Sequence, residues 1–220
     1  MKKNNKKNSK KTIYLLLLLI LGISVGYAAL SATLKINGTS IIKSAKWSVH
    51  FDTTAIVPAE GSVTGENEVI PARIKSGTNN TEIEFSVNLP EPGDFYEFTT
   101  NVVNDGSLDA IIANGNTNPL SITATYHDAD LDQDVEVPAA TYDKYFTYSI
   151  EWTDVDRLDK TPATGDELDA PVSPATSNSR PVKVRVYYDK DKINTDDDLP
   201  KNDVTFNIVF SMNFVQNKSN

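Results

Sequence analysis

The sequence predicts an all-β fold, an antiparallel β-sandwich that follows an N-terminal signal peptide. Apolar and polar residues alternate along most of the chain after residue 30, and this two-residue period is typical of half-buried strands. Turn-forming segments such as 104–107 (Asn-Asp-Gly-Ser) separate these runs, and no segment between them carries a 3.6-residue apolar stripe. Strands with one apolar face pack as two sheets around a shared core, so a sandwich is expected.

The N-terminus has the charge and hydropathy of an export signal. Residues 1–12 contain six lysines and no acidic residue, and residues 13–23 are almost purely aliphatic. A membrane-spanning helix needs about 20 apolar residues, which this run reaches only if its glycines, serine and alanines are counted. We therefore expect a cleaved signal peptide at residues 1–26, or 1–28, where small residues occupy the positions that a signal peptidase reads. A retained membrane anchor is the alternative, and we expect membrane contact only through this segment.

The charge of the mature chain limits its partners. Removal of residues 1–26 takes away six of the 21 basic residues and none of the 30 acidic ones, which leaves a net charge of −15. This charge disfavours nucleic acid and anionic lipid headgroups and suits a secreted protein of the cell surface or extracellular matrix. The chain has no cysteine, so disulfides and thiolate metal sites are excluded. About 190 residues can bury roughly 70% of the unfolded surface, so residues 27–220 are expected to form a single domain.

Nine strands are predicted, each from its own alternating run. In the first, Leu30, Ala32, Leu34 and Ile36 alternate with polar residues. The others are residues 45–51, 82–88, 95–104, 107–113, 120–127, 145–152, 182–188 and 204–214. Residues 161–181 contain four prolines and are predicted to form a long surface loop, because proline lacks the N–H that a central strand donates.

The sequence offers little of what an enzyme needs. Its only histidines are His50 and His127, and neither lies in the H-E-x-x-H pattern of helical zinc proteases. The chain also lacks the G-x-S-x-G elbow of serine hydrolases and the glycine-rich phosphate-binding loop. We therefore expect a protein that is not an enzyme, with a secreted metal-dependent hydrolase as the least favoured alternative.

One acidic stretch is a candidate for weak calcium binding. Asp128, Asp130, Asp132 and Asp134 alternate in "HDADLDQD", and in an extended chain their carboxylates would project to one side. Oxygen ligands suit calcium, although the motif of an established calcium loop is not met. A solvated, negatively charged loop is the competing interpretation, and no other cofactor is expected.

Four stretches carry a family resemblance. They are "GYAALSATLKINGTSI" after the lysine-rich signal, "WSVHF", "LPEPGDFYEFTTNVVNDGSLDAII" and the closing "VTFNIVFSMNFVQ". The third places Pro92, Gly93 and Asp94 before an alternating strand and then Asn-x-Gly-Ser-Leu-Asp-Ala at residues 104–110. Together they resemble the TasA/camelysin-like exported proteins of Gram-positive bacteria.

The resemblance implies a jelly-roll-like sandwich that is exported through a dedicated signal peptidase. It also implies that some members form biofilm matrix fibres, in which the freed N-terminal segment adds as a strand to the neighbouring subunit. Camelysin-like members have been described as metalloproteases, but no recognisable metalloprotease pattern occurs in this sequence. We therefore do not expect protease activity from this chain.

The function that we expect is that of a secreted structural protein of the bacterial cell surface or biofilm matrix. It would assemble into fibres with copies of itself or with related matrix subunits, using Leu30, Ala32, Leu34 and Ile36 as the donated strand. The same alternation fits a first strand that pairs within its own sandwich, so pairing in cis and in trans both stay open. A membrane-tethered surface binding module is the second hypothesis.

Overall fold

The structure is a computed structural model, and it describes residues 11, 13–21, 23, 45–113, 119–156, 160–171, 178–195 and 198–218. The chain divides into two compact units, Met1–Lys43 and Ser44–Asn220. In the first unit residues 13–21 are helical, and their apolar side chains are exposed. None of the helices in the described part of the chain is both long and apolar enough to span a membrane.

The second unit is built from antiparallel strands. In the described residues there are thirteen: β1 Val49–Phe51, β2 Val57–Pro58, β3 Ile70–Ile74, β4 Glu82–Asn88, β5 Phe95–Asn104, β6 Ala110–Ile112, β7 Leu120–Asp128, β8 Gln133–Val137, β9 Phe146–Trp152, β10 Glu167–Leu168, β11 Asn178–Tyr188, β12 Thr205–Ser211 and β13 Phe214–Gln216. One helical turn, α1 Ala139–Tyr142, follows β8, and 3-10 turns cover Gly65–Asn67 and Lys190–Lys192.

These strands form three sheets. The first sheet has the order β1, β5, β11, β9, with β2 also paired to β5. The second has the order β3, β4, β12, β7, β8, and a small third sheet has the order β10, β6, β13. The two five-stranded sheets pack face to face, because every second side chain of their strands enters one shared core.

Aromatic side chains join the two large sheets. Phe85 of β4 contacts Tyr96 and Phe98 of β5, with ring centroids 5.5 and 5.3 Å apart. Phe146 of β9 stacks on Phe206 of β12, with centroids 4.3 Å apart. Rings of this size bury large apolar areas, so these contacts account for much of the energy that holds the sheets together.

The structure confirms the prediction of an antiparallel all-β fold and refines its strand list. The eight predicted strands between residues 45 and 214 each contain an observed strand, but the last one is divided at Met212 and Asn213 into β12 and β13. β2, β3, β8 and β10 were not predicted, because runs of two to five residues are too short to show a period. The first predicted strand, residues 30–37, lies outside the described residues.

The prediction that residues 161–181 form only a surface loop is wrong. β10 lies within this segment and its Leu168 is buried, and β11 includes Pro181 although it runs between β5 and β9. Thr153 donates its N–H to the carbonyl oxygen of Pro181 at 3.0 Å, so the proline nitrogen faces the β9 side just beyond the end of β9. The missing N–H therefore removes no bond from β9 itself, which is why a central strand tolerates this proline.

A buried amide fixes the turn after β5. The side chain of Asn104 has no exposed surface, and its Nδ2 donates to the carbonyl oxygens of Leu108 and Leu168 at 2.9 and 3.1 Å. Its Oδ1 accepts the N–H of Gly106 at 3.0 Å. One side chain thus connects the end of β5 to the third sheet, and Asn104 is the first residue of the Asn-x-Gly-Ser-Leu-Asp-Ala pattern at residues 104–110.

The same turn holds the start of β1. An added Cβ at Gly106 would lie 2.6 Å from the carbonyl oxygen of Lys46 and 2.9 Å from the N–H nitrogen of Ser48, so only glycine permits this approach. The N–H of Ser107 donates to the carbonyl oxygen of Lys46 at 2.8 Å, and the backbone N–H of Lys46 donates to the hydroxyl of Ser107 at 2.8 Å. The position at which the chain enters the second unit is therefore fixed by this turn.

Candidate functional site

Among the described residues, one of the two edges of β9 has no partner strand. Asp189 donates its N–H to the carbonyl oxygen of Tyr145 at 2.7 Å, and Thr153 donates its N–H to the carbonyl oxygen of Pro181. The odd-numbered residues of β9 are therefore the ones whose backbone groups bond to β11. Because bonded and non-bonded pairs alternate in an antiparallel ladder, the N–H and C=O of Phe146 and Ile150 point away from the sheet. Within the described residues, the backbone groups of Ile150 have no hydrogen-bond partner.

In the part of the chain that the structure describes, the first half of β7 also has an edge without a partner strand. Ser211 donates its N–H to the carbonyl oxygen of Pro119 at 2.9 Å, which places the odd-numbered residues of β7 against β12. The even-numbered residues face the other way, where β8 pairs only with Ala124–Asp128. The backbone groups of Leu120 and Ile122 are therefore left uncovered by β8.

The two open edges line one depression, which we call the β7–β9 groove. A cavity of about 540 Å³ is lined by Leu120, Ser121 and Ile122 from β7, Phe146, Thr147 and Tyr148 from β9, and by Ala139, Tyr142, Asp143 and Lys192. A second cavity of about 440 Å³ shares Tyr148 and continues along β9 past Ile150 towards residues 161–164 and Met212. Most of the side chains from the two strands are apolar, so the groove offers both strand edges and a hydrophobic lining.

Each end of the open β9 edge is closed. Lys192 donates from Nζ to the carbonyl oxygens of Asp143 and Phe146 at 2.9 and 3.0 Å. At the other end Trp152 donates its N–H to the carbonyl oxygen of Lys160 at 2.8 Å. Between these two ends, within the described residues, the outward-facing backbone groups of Ile150 are left for pairing.

The groove contains a tyrosine, Tyr142, with a shifted pKa. Burial, with the nearby carboxylate of Asp143, raises the pKa of Tyr142 above its ordinary value of 10.0. The phenol is therefore uncharged at neutral pH, and the floor of the groove carries no anion at this position.

β1 lies at the opposite edge of the first sheet. Asp105 donates its N–H to the carbonyl oxygen of Ser48 at 3.1 Å, and Asp52 donates its N–H to the carbonyl oxygen of Asn101 at 2.9 Å. The even-numbered residues therefore bond to β5, and the N–H and C=O of Val49 point away from it. The residues before β1 join the second unit at this edge, whereas the β7–β9 groove lies beside the other. Entry point and groove are thus separated by the full width of the sheet.

The four residues predicted to donate a strand, Leu30, Ala32, Leu34 and Ile36, lie outside the described residues. The groove that we describe was not found from the sequence. Alternation in residues 145–152 locates β9, but no sequence pattern tells which strand lies at the edge of a sheet.

The four aspartates of the candidate calcium site lie around the turn between β7 and β8. They do not lie on one extended strand, because residues 129–132 turn the chain between β7 and β8. Asp128 accepts the N–H groups of Asp130 and Leu131 at 3.0 and 3.2 Å, and Asp134 lies 3.2 Å from Nδ1 of His127. In the described residues no group of three acidic or histidine side chains is placed to hold a metal ion. Weak calcium binding stays a prediction, and melting temperatures across millimolar calcium would test it.

His50 takes part in a surface ion-pair cluster. Its Nε2 lies 3.4 Å from Oδ2 of Asp105, and Nζ of Lys46 lies 3.8 Å from Oδ1. A hydrogen bond from the Ser48 side chain, followed by the contacts with His50 and Lys46, lowers the pKa of Asp105 below its ordinary value of 3.8. These contacts add to the interactions that hold Lys46 and His50 of the β1 segment against the turn after β5.

Comparisons with family models, curated proteins and solved structures give no match for this chain.

Proposed function

We propose that this chain is a secreted structural protein of the bacterial cell surface or biofilm matrix, with a jelly-roll-like sandwich released by cleavage of residues 1–26. It self-associates when residues 30–37 of one copy add as a strand to the β7–β9 groove of another. The observation that carries the proposal is that two strand edges with outward-facing backbone groups line a single groove. The same groove is consistent with assembly into TasA-like fibres.

The donated strand complements the groove in two ways. Its backbone would supply the donors and acceptors that the edges of β7 and β9 lack, which is the energetic basis of strand addition. Leu30, Ala32, Leu34 and Ile36 lie on one face of an extended strand, so they would meet the apolar lining together. The polar residues between them would face the solvent.

The placement of donor and acceptor favours an open chain of copies. The donor joins the domain at the β1 edge, and the groove lies beside the β9 edge. A copy that donates to its neighbour therefore still has its own groove free. Contacts of this head-to-tail kind propagate into filaments rather than closing into a dimer.

A pair of single-site variants tests the proposal in the mature chain that starts at Tyr27. Leu34→Asp places a charge on the donor, and Ile122→Lys places one in the groove of the acceptor. Electron microscopy should show fibres for the unmodified chain and none for either variant. Leu131→Asp, at an exposed apolar residue of the β7–β8 turn, is the matched control and should still give fibres.

Mixing the two variants separates strand donation from general loss of association. Ile122→Lys retains its donor and Leu34→Asp retains its groove, so an equimolar mixture should form one-to-one dimers that cannot extend. Sedimentation velocity would detect them. Persistent monomers of the unmodified chain, fibres from both variants, or a mixture without dimers would each contradict donation into this groove.

A membrane-tethered surface binding module is the second candidate function. It is favoured by a polar cavity at one end of the sandwich, which is lined by two phenols and three amide side chains. Fractionation distinguishes the two candidates, because a tethered module stays with membranes whereas the matrix protein is released.

A further inference from the structure

A polar cavity of about 810 Å³ opens at one end of the sandwich. It is lined by residues 66–67, the end of β4 with the turn that follows, Tyr145, the end of β11, residues 199–204 and Phe206. None of these residues lines the β7–β9 groove. The volume falls within the range of about 300–1,000 Å³ that small-molecule sites occupy.

Two nearly buried phenols line this cavity. Tyr145 and Tyr188 are 4% and 3% exposed, and their ring centroids lie 5.4 Å apart. Neither hydroxyl has a hydrogen-bond partner in the part of the chain that the structure describes. Neither hydroxyl is among the fully buried, unpartnered atoms of the described residues, so both are accessible from the cavity and can hydrogen-bond to a bound molecule.

Both phenols are neutral at physiological pH. Burial raises the pKa of Tyr145 to about 12, and burial also raises the pKa of Tyr188 above its ordinary value. A neutral phenol can donate one hydrogen bond and accept others. The pair therefore suits a ligand whose groups both donate and accept.

Amide side chains give the cavity further groups that can donate and accept hydrogen bonds. Asn88 accepts the hydroxyl of Thr205 on Oδ1 at 2.7 Å, which leaves its NH₂ group available. Asn67 and Asn202 line the cavity with no side-chain partner among the described residues. Buried Leu89 and Phe206 add an apolar part to the lining.

The lining does not favour a strongly charged ligand. Its ionisable side chains other than the two phenols are Glu66, Lys201 and Asp203, and all three are exposed. One ammonium beside two carboxylates repels a phosphate, and no described group of acidic residues is placed to hold a metal ion. Neutral hydroxyl groups, by contrast, match phenols and amides in both donor and acceptor capacity.

We propose that this cavity binds a neutral saccharide, with the hydroxyls of Tyr145 and Tyr188 and the NH₂ group of Asn88 as its hydrogen-bonding contacts. The apolar C–H face of a sugar ring would pack against Leu89 and the neighbouring prolines. The site gives the protein a contact with polysaccharide that is independent of self-association, because the cavity and the groove share no residue.

Binding of four neutral trisaccharides to the full chain tests the proposal: maltotriose, cellotriose, chitotriose and laminaritriose. Saturation-transfer NMR and calorimetry should show saturable binding of at least one of them. Tyr145→Phe and Tyr188→Phe keep the rings and remove only the hydroxyls, so each should weaken that binding about two- to tenfold. Tyr187→Phe, at a half-exposed tyrosine outside the cavity, is the matched control and should bind unchanged.

Two results would overturn the proposed saccharide binding. The proposal would be overturned if none of the four sugars bound saturably up to about 10 mM, because a Kd above that concentration means a binding free energy weaker than about 3 kcal/mol. Equal binding by the three tyrosine variants would also overturn it, because the sugar would then sit elsewhere. Circular dichroism of each variant checks that it remains folded.

Discussion

The ammonium group of Lys192 donates to the carbonyl oxygen of Phe146 at 3.0 Å, on the open edge of β9. It also donates to the carbonyl oxygen of Asp143 at 2.9 Å, so one side chain covers the first acceptor of that edge. Exposed strand edges attract other strands, and proteins often place lysine there to limit such pairing. Lys192 therefore shortens the stretch of β9 that another strand can use.

Removing this cover should speed self-association. Lys192→Met keeps a long side chain but loses the ammonium group, so the carbonyl oxygen of Phe146 becomes free to accept from an incoming strand. Light scattering of the mature chain should show a shorter lag before fibres form. Lys190→Met is the matched control, since Lys190 lies in the same 3-10 turn and has no described side-chain bond to β9.

A lag that is the same for both lysine variants would contradict a role of Lys192 at the edge. A longer lag for Lys192→Met alone would mean that its hydrogen bonds support the groove rather than restrict it.

The sequence was informative about long strands and silent about edges. Alternation in residues 95–104 and 182–188 located the centre of the first sheet, because ten and seven residues show a two-residue period clearly. The open edge of β7 arises because β8 is shorter than β7, and β9 is an edge because β11 pairs with β5 on its other side. These are long-range pairings, and local pattern carries no information about them. Likewise Pro181 fits β11 only because β9 ends beside it.

Loss of the buried amide of Asn104 should destabilise the domain strongly. Asn104→Ala leaves the carbonyl oxygens of Leu108 and Leu168 and the N–H of Gly106 without their partner. We expect the free energy of unfolding to fall by about 3 kcal/mol, measured by urea denaturation. Asn101→Ala, at a half-exposed position of the same strand, should change it by less than about 0.5 kcal/mol. Similar losses for both variants would show that strand propensity, not the buried amide, sets the cost.

A methyl group at position 106 should loosen the entry of the chain into the second unit. In Gly106→Ala the new Cβ would lie 2.6 Å from the backbone oxygen of Lys46, so the turn and the start of β1 must separate. We expect faster hydrogen exchange at Lys46 and Ser107, together with a stability loss of about 2 kcal/mol or more. Gly65→Ala is the comparison, because Gly65 has a φ of +67° and open space around it. That variant should lose only about 1 kcal/mol, from backbone strain.

If the two glycine variants lose equal stability and exchange at Lys46 stays slow, the close approach at Gly106 contributes nothing beyond ordinary backbone preference.

The Asp105 cluster should make stability depend on pH in the acid range. The pKa of Asp105 is lowered in the folded state, so its contribution is fully present above the unfolded value near 3.8 and is lost as pH falls through the folded pKa. Asp105→Asn should therefore flatten the fall in unfolding free energy below about pH 4, relative to the unmodified chain. The side chain is 40% exposed, so screening keeps the effect modest. Denaturation at a series of pH values measures it, with the exposed Asp156→Asn as the control.

The cause of this pKa shift can be assigned with two further substitutions. The hydrogen bond from Ser48 is the largest contribution and the charge of Lys46 a smaller one, so Ser48→Ala should raise the carboxyl pKa of Asp105 more than Lys46→Ala does. NMR titration of the carboxyl carbon reads this pKa directly. Added salt should reproduce the effect of Lys46→Ala, because salt screens a charge pair at 3.8 Å but leaves a direct hydrogen bond largely intact. A shift that vanishes in salt with Ser48 unchanged would reverse the order of these two causes.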